Sequence, residues 1–311
     1  MVGVKNILKL PPGNCGFFAE ANQHLARIYR HIRQTRWLED AKSLIVDTGD
    51  TFTRYRDIET TDVYKACFDT HTKPLCRKDI EDITHITTAD FPGWGVFYTQ
   101  TSALNNPRGT TIIPDISSWK DRDIQSRYLK ALSPIIRKWF LPSSETETIK
   151  NQLISKYHID LTKTISIFTR GTDKDMESRC EAKRMPTSFC LDSILQCLKT
   201  SPELESVLIQ SDCQLMTDEL SNAISKAKPS LRIIVIDEMY KSSDNQPIHL
   251  FHYKRGDVPD KLNQIQTLLA IVNIMKDCKY VIASTSNITR WIWLYRANRE
   301  RFIQYADGNI V

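Results

Sequence analysis

Residues 164–178, TISIFTRGTDKDMES, hold the densest run of reactive groups, an alternating apolar stretch leading straight into Arg170, Asp173, Lys174, Asp175 and Glu177. A guanidinium offers fixed, permanently charged donors matched to phosphate oxygens, so Arg170 is the candidate to hold a diphosphate. A surface salt bridge to Asp173 or Asp175 is the equal alternative. Asp175 and Glu177, just past the arginine, are placed to take a proton from a hydroxyl, although most loop acids are simply solvated. A second candidate is ASTSNITRW, in which Ser284, Thr285, Ser286 and Asn287 precede a helix start. Free backbone N–H groups and the helix dipole favour an anion there. Taken alone, these residues are caps. Asp237 ends the most apolar strand, where a carboxylate accepts two hydrogen bonds from a guanine edge or a ribose, or caps the next segment.

Other chemistries are disfavoured. No GxGxxG follows a strand, which argues against a nucleotide-dependent oxidoreductase. The eight cysteines show neither CxxC nor paired Cys/His spacing, so a sulfur-bound metal is not expected. His24 and His31, on one helical face, read as a buried or surface pair. The net charge of +5 is spread along the chain, which leaves no nucleic-acid footprint and suits a small anionic ligand. The N-terminal MVGVKNILKLPPGNCGFF lacks the apolar core of a signal peptide, and no stretch approaches membrane-spanning length. A cytoplasmic location is expected, unless an anchor precedes this chain. The sequon Asn287-Ile288-Thr289 is discounted, because a glycan would block a ligand-binding turn.

The elements that must position these groups are legible in two halves. With 41% hydrophobic and 25% charged residues, the 311-residue chain is ordinary for two globular domains, expected at 1–160 and 161–311. The first opens as β-α-β: Leu25, Ile28, Tyr29 and Ile32 recur at helical spacing in residues 21–34, and SLIVDTGD follows as a buried strand. From 51 to 119, Pro, Gly and aromatics including Trp94 predict loops and short elements. Helices are expected in SRYLKALSPIIRKWFL, with Pro134 costing a kink or break, and in ETETIKNQLISKYHI. In the second half, strands TISIFT, SVLIQS, LRIIVID and YVIAST alternate with helices around 188–198, 217–226 and 261–277. That alternation predicts a doubly wound parallel sheet, with ligands at the carboxyl strand ends. Those ends carry 170–174, Ser211-Asp212, Asp237-Glu238 and 284–287.

The order IFTRGTDK, LIQSD, IIVIDE and LLAIVNIMKDCKYVIASTSN resembles the donor half of the α1,6- and nodulation fucosyltransferases and, more distantly, the protein O-fucosyltransferases. GNCGFFAEANQHLARIY is similar to their Gly-Cys-Gly segment, and YLKALSPIIRKWFLPS to their inter-domain helix. The likeness is absent from about 51 to 119. It implies an α/β GT-B fold of two Rossmann-like domains, and an inverting, metal-independent transfer with no cofactor. The partners implied are a nucleotide-sugar donor and a glycan acceptor. By this resemblance Arg170 binds the β-phosphate, Asp173 and Lys174 shape the phosphate loop, and Asp237 reads the base. Ser284, Thr285 and Ser286 hold phosphate oxygens, and Asn14, Gly16, Asp212 and Asn287 join the donor site. Read from the residues rather than the resemblance, Glu177 or Asp175 is the candidate base and Trp94 a candidate to stack on acceptor sugars, although core or loop packing is the commoner role of any one aromatic. Three positions depart from the pattern: Gly171 stands where a second arginine is usual, Phe168 where a histidine is, and Ser178, with Glu177 adjacent, nearest to where the family has an acid, so the resemblance leaves the base open. GDP-fucose is the family default; UDP-xylose or another nucleotide sugar stays open, as does a module that binds without turnover.

Overall fold

The computed structural model describes residues 6–13, 15–35, 42–57, 61–69, 74–84, 122–171, 184–244, 246, 248, 252–284, 286–298, 300–306 and 309–310. They form two compact units that part in the sequence between Glu145 and Thr146.

The first unit opens with β1 (Ile7–Lys9), α1 (Phe17–Gln34) and β2 (Ile45–Asp47), the two strands pairing in parallel with Ile7 opposite Ile45. In α1, Ala21, Leu25, Ile28 and Ile32 recur at helical spacing and all are buried, so this face drives the helix onto the unit's core. β2, expected as a buried strand, is half open: Ile45 is 45% exposed, and Ile7 opposite it in β1 is 54% exposed, the two strands pairing only with each other among the described residues. A three-residue 3₁₀ turn (Thr53–Tyr55), α2 (Val63–Cys67), β3 (Phe68–Asp69) and α3 (Arg77–Thr84) follow. The short elements expected after residue 51 are these. The segment DFPGWGVFYTQTSALNNPRG, with Trp94, lies outside the described residues.

α4 (Arg122–Trp139) continues through Pro134 without a break. Proline removes one helical hydrogen bond, but Leu132, Ile135, Ile136 and Trp139 are all buried, and that packing offsets the loss. β4 (Leu141–Pro142) then pairs antiparallel with β3. Phe17, Phe52, Tyr64, Phe68 and Phe140 form a continuous aromatic cluster, with Phe17 and Phe52 centroids 4.6 Å apart. α5 (Ser144–Lys156) runs into the second unit.

The second unit is built on six strands: β5 (Thr164–Thr169), β6 (Ser206–Ser211), β7 (Arg232–Val235), β8 (Tyr280–Ser284), β9 (Phe302–Ala306) and β10 (Asn309–Ile310). Their order is β10-β9-β8-β5-β6-β7, and all adjacent pairs are parallel except β10 with β9. Every residue of β5, β6 and β8 is buried, as strands covered on both faces must be. On one face, Ile165, Ile167, Val207, Ile209 and Ile282 pack against α6 (Thr187–Thr200) and α7 (Gln214–Ala227) through Phe189, Ile194, Leu220 and Ile224. α9 (Lys261–Asp277) covers the other, where Ser166 Oγ donates to the Met275 carbonyl at 3.2 Å. A short α8 (His252–Arg255) precedes α9, and α10 (Asn287–Arg296) follows β8.

The chain winds outward from β5 to β6 and β7, then returns to the opposite side of β5 at β8. The topological switch point therefore lies between β5 and β8, where an open α/β sheet leaves a crevice for a ligand. β9 and β10 lie beyond the last strand expected from the sequence. The seven described cysteines are free, and no described helix is long and apolar enough to cross a membrane.

Candidate functional site

Three carboxyl strand ends are stitched together at the switch point. The Arg170 N–H, one residue past β5, donates to Ser284 Oγ at the end of β8 at 3.2 Å. The next amide, that of Gly171, donates to Asp212 Oδ1 at 2.8 Å, one residue past β6. Arg170 Nε lies 3.7 Å from Asp212 Oδ2, with both side chains largely buried. The guanidinium thus stands beside a carboxylate at the end of a central strand, and the ion pair restrains it there. Asp212 thus has two tasks, accepting the Gly171 amide and restraining the Arg170 side chain.

Ser284 and Ser286 are buried, and their hydroxyls are engaged within the protein. Ser286 caps α10, its Oγ accepting the Thr289 N–H at 3.0 Å, while Thr289 Oγ1 donates to the Ser284 carbonyl. The two serines therefore shape the turn itself. Asn287 is the first residue of α10, and Arg290, within the same turn, is buried at 2% exposure. Sequence reasoning did not single out Arg290; a charged residue inside a helix entering a core is the signal that would have marked it.

Gly171 has no room for a side chain. A Cβ there would lie 2.4 Å from Met216 Sδ and 2.7 Å from Cys213 Cβ. An arginine cannot occupy this position without displacing the start of α7. Phe168, buried at 1%, belongs to the sheet interior.

Asp237 lies two residues past β7 and is open to solvent, its side chain 82% exposed, with Lys241 Nζ 3.9 Å away. Its amide donates to the Tyr157 hydroxyl at 3.0 Å, and that hydroxyl donates to Glu238 Oε2 at 2.7 Å. Lys241 is almost fully buried, donating to the Ile236 carbonyl at 2.9 Å, and burial lowers its pKa.

The loop after β7 is held by a cluster that the sequence did not reveal. His252 Nε2 lies 3.0 Å from Asp244 Oδ1, while Nδ1 lies 3.0 Å from both Asp257 Oδ2 and the Tyr240 hydroxyl. The Ser242 hydroxyl donates to Asp244 at 2.7 Å, and the Ser242 amide to the Asp212 carbonyl at 2.9 Å. The His252 cluster is therefore linked to the strand-end site through two consecutive hydrogen bonds. The Ser242 hydroxyl, the Gln246 amide and His252 together lower the Asp244 pKa to about 2.

In the first unit, Gly16 is the N-cap of α1, with no side chain to bond the helix start, and its carbonyl accepts the Glu20 N–H at 3.0 Å. Asn14, Trp94, Asp173, Lys174, Asp175, Glu177 and Thr285 lie outside the described residues.

This architecture, a doubly wound sheet preceded in the sequence by a separate βαβ unit, has the GT-B class of α/β fold. It is similar to the crystal structure of NodZ α-1,6-fucosyltransferase soaked with GDP-fucose, at 14% identity and a TM-score of 0.52, covering 99% of this chain and 98% of that one. Weaker likenesses are to a mutant of FUT1 from Arabidopsis thaliana in complex with GDP (11% identity, TM-score 0.47, 99% of this chain and 72% of that one) and to POFUT1 in complex with GDP (12%, 0.44, 98% and 99%). No protein-family model matches the chain, and no curated protein sequence does.

Proposed function

We propose that this protein is an inverting, metal-independent glycosyltransferase that moves a sugar, fucose by default, from a nucleoside diphosphate sugar to a glycan acceptor. The observation that carries the reading is the fixing of Arg170 at the switch point by Ser284 and Asp212. The fold shared with a structure soaked with GDP-fucose supports it. In this reading residues 161–311 bind the donor and residues 1–160 serve the acceptor side, with Asn14 and Gly16 as further donor contacts. Arg170 and the first-turn amides of α10 stabilise the charge that builds on the leaving diphosphate. Asp173 and Lys174 shape the phosphate loop, and Asp237, exposed past β7, reads the base. Glu177 or Asp175 accepts the proton of the attacking hydroxyl, and Trp94 stacks on the acceptor. The location proposed is cytoplasmic.

The closed wall at Gly171 and the buried Phe168 favour a second reading on the same site. The cationic and nucleoside contacts they would otherwise supply are missing, so the donor is a different nucleotide sugar, such as UDP-xylose, or the site binds without turnover. Thermal-shift titration with GDP, UDP and their sugars in EDTA separates these. A rise in Tm with GDP-fucose together with transfer to a glycan supports the first reading. A response to UDP alone, or binding without transfer, supports the second.

A further inference from the structure

His252, the first residue of α8, has a side chain only 5% exposed, yet both its ring nitrogens face acids. Nε2 lies 3.0 Å from Asp244 Oδ1, on the loop after β7, and Nδ1 lies 3.0 Å from Asp257 Oδ2, just past α8. A neutral imidazole has one N–H and one lone pair, so it donates to one carboxylate and turns a lone pair toward the other. The imidazolium donates to both. The Tyr240 hydroxyl, 3.0 Å from the same Nδ1, supplies the alternative partner, since it can donate to that nitrogen once the ring is neutral. The cluster therefore has two bonded arrangements. Charged, the ring clamps both acids; neutral, it takes the Tyr240 hydroxyl, leaves Asp257 without its ring donor and gives up the charge assistance of the bond to Asp244. Among the described residues, the other charged group facing the cluster is Arg255, its Nη1 3.9 Å from Asp244 Oδ2. From α9 the contact is the uncharged Gln264, whose Oε1 accepts the Tyr240 N–H at 2.7 Å.

What the clamp holds leads to the strand ends within the same unit. Asp244 Oδ1 also accepts the Ser242 hydroxyl at 2.7 Å and the Gln246 N–H at 3.0 Å. Ser242 is fully buried and stitched to the end of β6 on both sides, its N–H donating to the Asp212 carbonyl at 2.9 Å and its carbonyl accepting the Gln214 N–H at 3.0 Å. Cys213 and Ser242 thereby form a parallel bridge. Asp212 in turn accepts the Gly171 amide and stands beside Arg170. One buried ring thus fastens the loop after β7 onto the residue that restrains the guanidinium at the switch point.

We propose that His252 is a positioning residue for the Arg170 site and that protonating it tightens that site, the imidazolium drawing Asp244 and Asp257 together and seating Ser242 against Asp212. This rests on the reading of Arg170 as the diphosphate contact. His252 acts through Ser242 and Asp212.

The test is calorimetric titration of the full chain with GDP, UDP and inorganic pyrophosphate across about pH 5–8, the range in which histidine changes charge, beside melting temperature at each pH. The phosphate titration of each probe is common to wild type and variants and cancels in their ratio. His252→Gln cannot take up a proton, so the advantage of wild type over this variant should be roughly 5-fold or more at the acid end and shrink as the pH rises. Tyr240→Phe removes the hydroxyl that competes for Nδ1 and should carry tight binding to higher pH. Should His252→Gln fail to fold, Ser242→Ala cuts the link to Asp244 with the ring in place and should remove the same pH-dependent advantage. Ile194→Val, which trims the buried core of the unit, should lower Tm and leave the pH dependence as in wild type. Equal pH dependence in wild type and His252→Gln overturns the inference, as does a Ser242→Ala variant that keeps the wild-type profile. If Arg170→Ala abolishes binding of all three probes while those profiles stay equal, the inference alone falls. If the wild type binds none of the three at any pH in the range, the donor reading falls and takes the inference with it.

Discussion

The backbone amide of Arg170 and the hydroxyl of Ser284 lie 3.2 Å apart across the switch point of the sheet, so the first residue past β5 is held by the last residue of β8. Removing the hydroxyl leaves a part-buried amide without its acceptor, which costs about 1–3 kcal/mol. Ser284→Ala should therefore lower Tm by several degrees and loosen nucleotide binding, whereas Ser284→Thr, which keeps the oxygen, should recover part of both. Melting curves with and without nucleotide check this. An unchanged Tm in Ser284→Ala would show that the strand ends are held by other means.

Gly171 gives a sharper stability test. Alanine there brings its Cβ to 2.7 Å from Cys213 Cβ, which sits at the rigid entry to α7, and to 2.4 Å from the more pliable Met216 Sδ. Overpacking of this kind costs about 1–3 kcal/mol. Gly171→Ala should lower Tm, Gly171→Arg should lower it further, and Met216→Ala should relieve only part of the strain. A Gly171→Arg protein as stable as wild type would mean that the wall behind the loop yields.

Residues Thr164 to Thr169 and Ser206 to Ser211 were legible as strands because strands covered on both faces must be apolar along most of their length, and the helices between them carry one buried face. β9 was missed because Phe302, Gln304 and Tyr305 follow a charged stretch and mix polar with aromatic residues. α4 was expected to suffer at Pro134, a local rule overridden by tertiary burial of its neighbours. At the site, Arg170, Asp212 and Ser284 could be placed together from topology alone. What closes the space beside Gly171 could not, since Cys213 and Met216 reach it only through the β5–β6 pairing. Glu20, fully buried and accepting the Phe52 N–H at 2.6 Å, was hidden for a similar reason: an acid in the first turn of a helix reads as a dipole-stabilising surface residue, and its partner is 32 positions away.

The Asp244 cluster makes stability depend on pH in a defined direction. Its pKa is lowered to about 2, first by the Ser242 hydroxyl, then by the Gln246 amide and His252. A depressed carboxylate stabilises the fold above its unfolded value, roughly 3.9, and that contribution is lost as the pH falls toward the folded value. Asp244→Asn should therefore cost stability at pH 6 and flatten the fall in Tm between about pH 4 and 2 relative to wild type. Parallel acid limbs in the two proteins would contradict the assignment.

The most direct measurement is titration of GDP and GDP-fucose, with UDP and UDP-xylose alongside, into wild type and Arg170→Ala in EDTA, coupled to transfer kinetics on a glycan acceptor. The account predicts binding and transfer without metal, with kcat falling roughly 10²-fold or more in Arg170→Ala, a larger change than that in KM, because the charge Arg170 meets grows in the transition state. Arg170→Lys should rescue little, since a point charge lacks the two-pronged fork. A folded Arg170→Ala protein that binds nucleotide and transfers sugar as wild type does, or a wild type active only with added manganese, would contradict the placement of the donor diphosphate at this strand end.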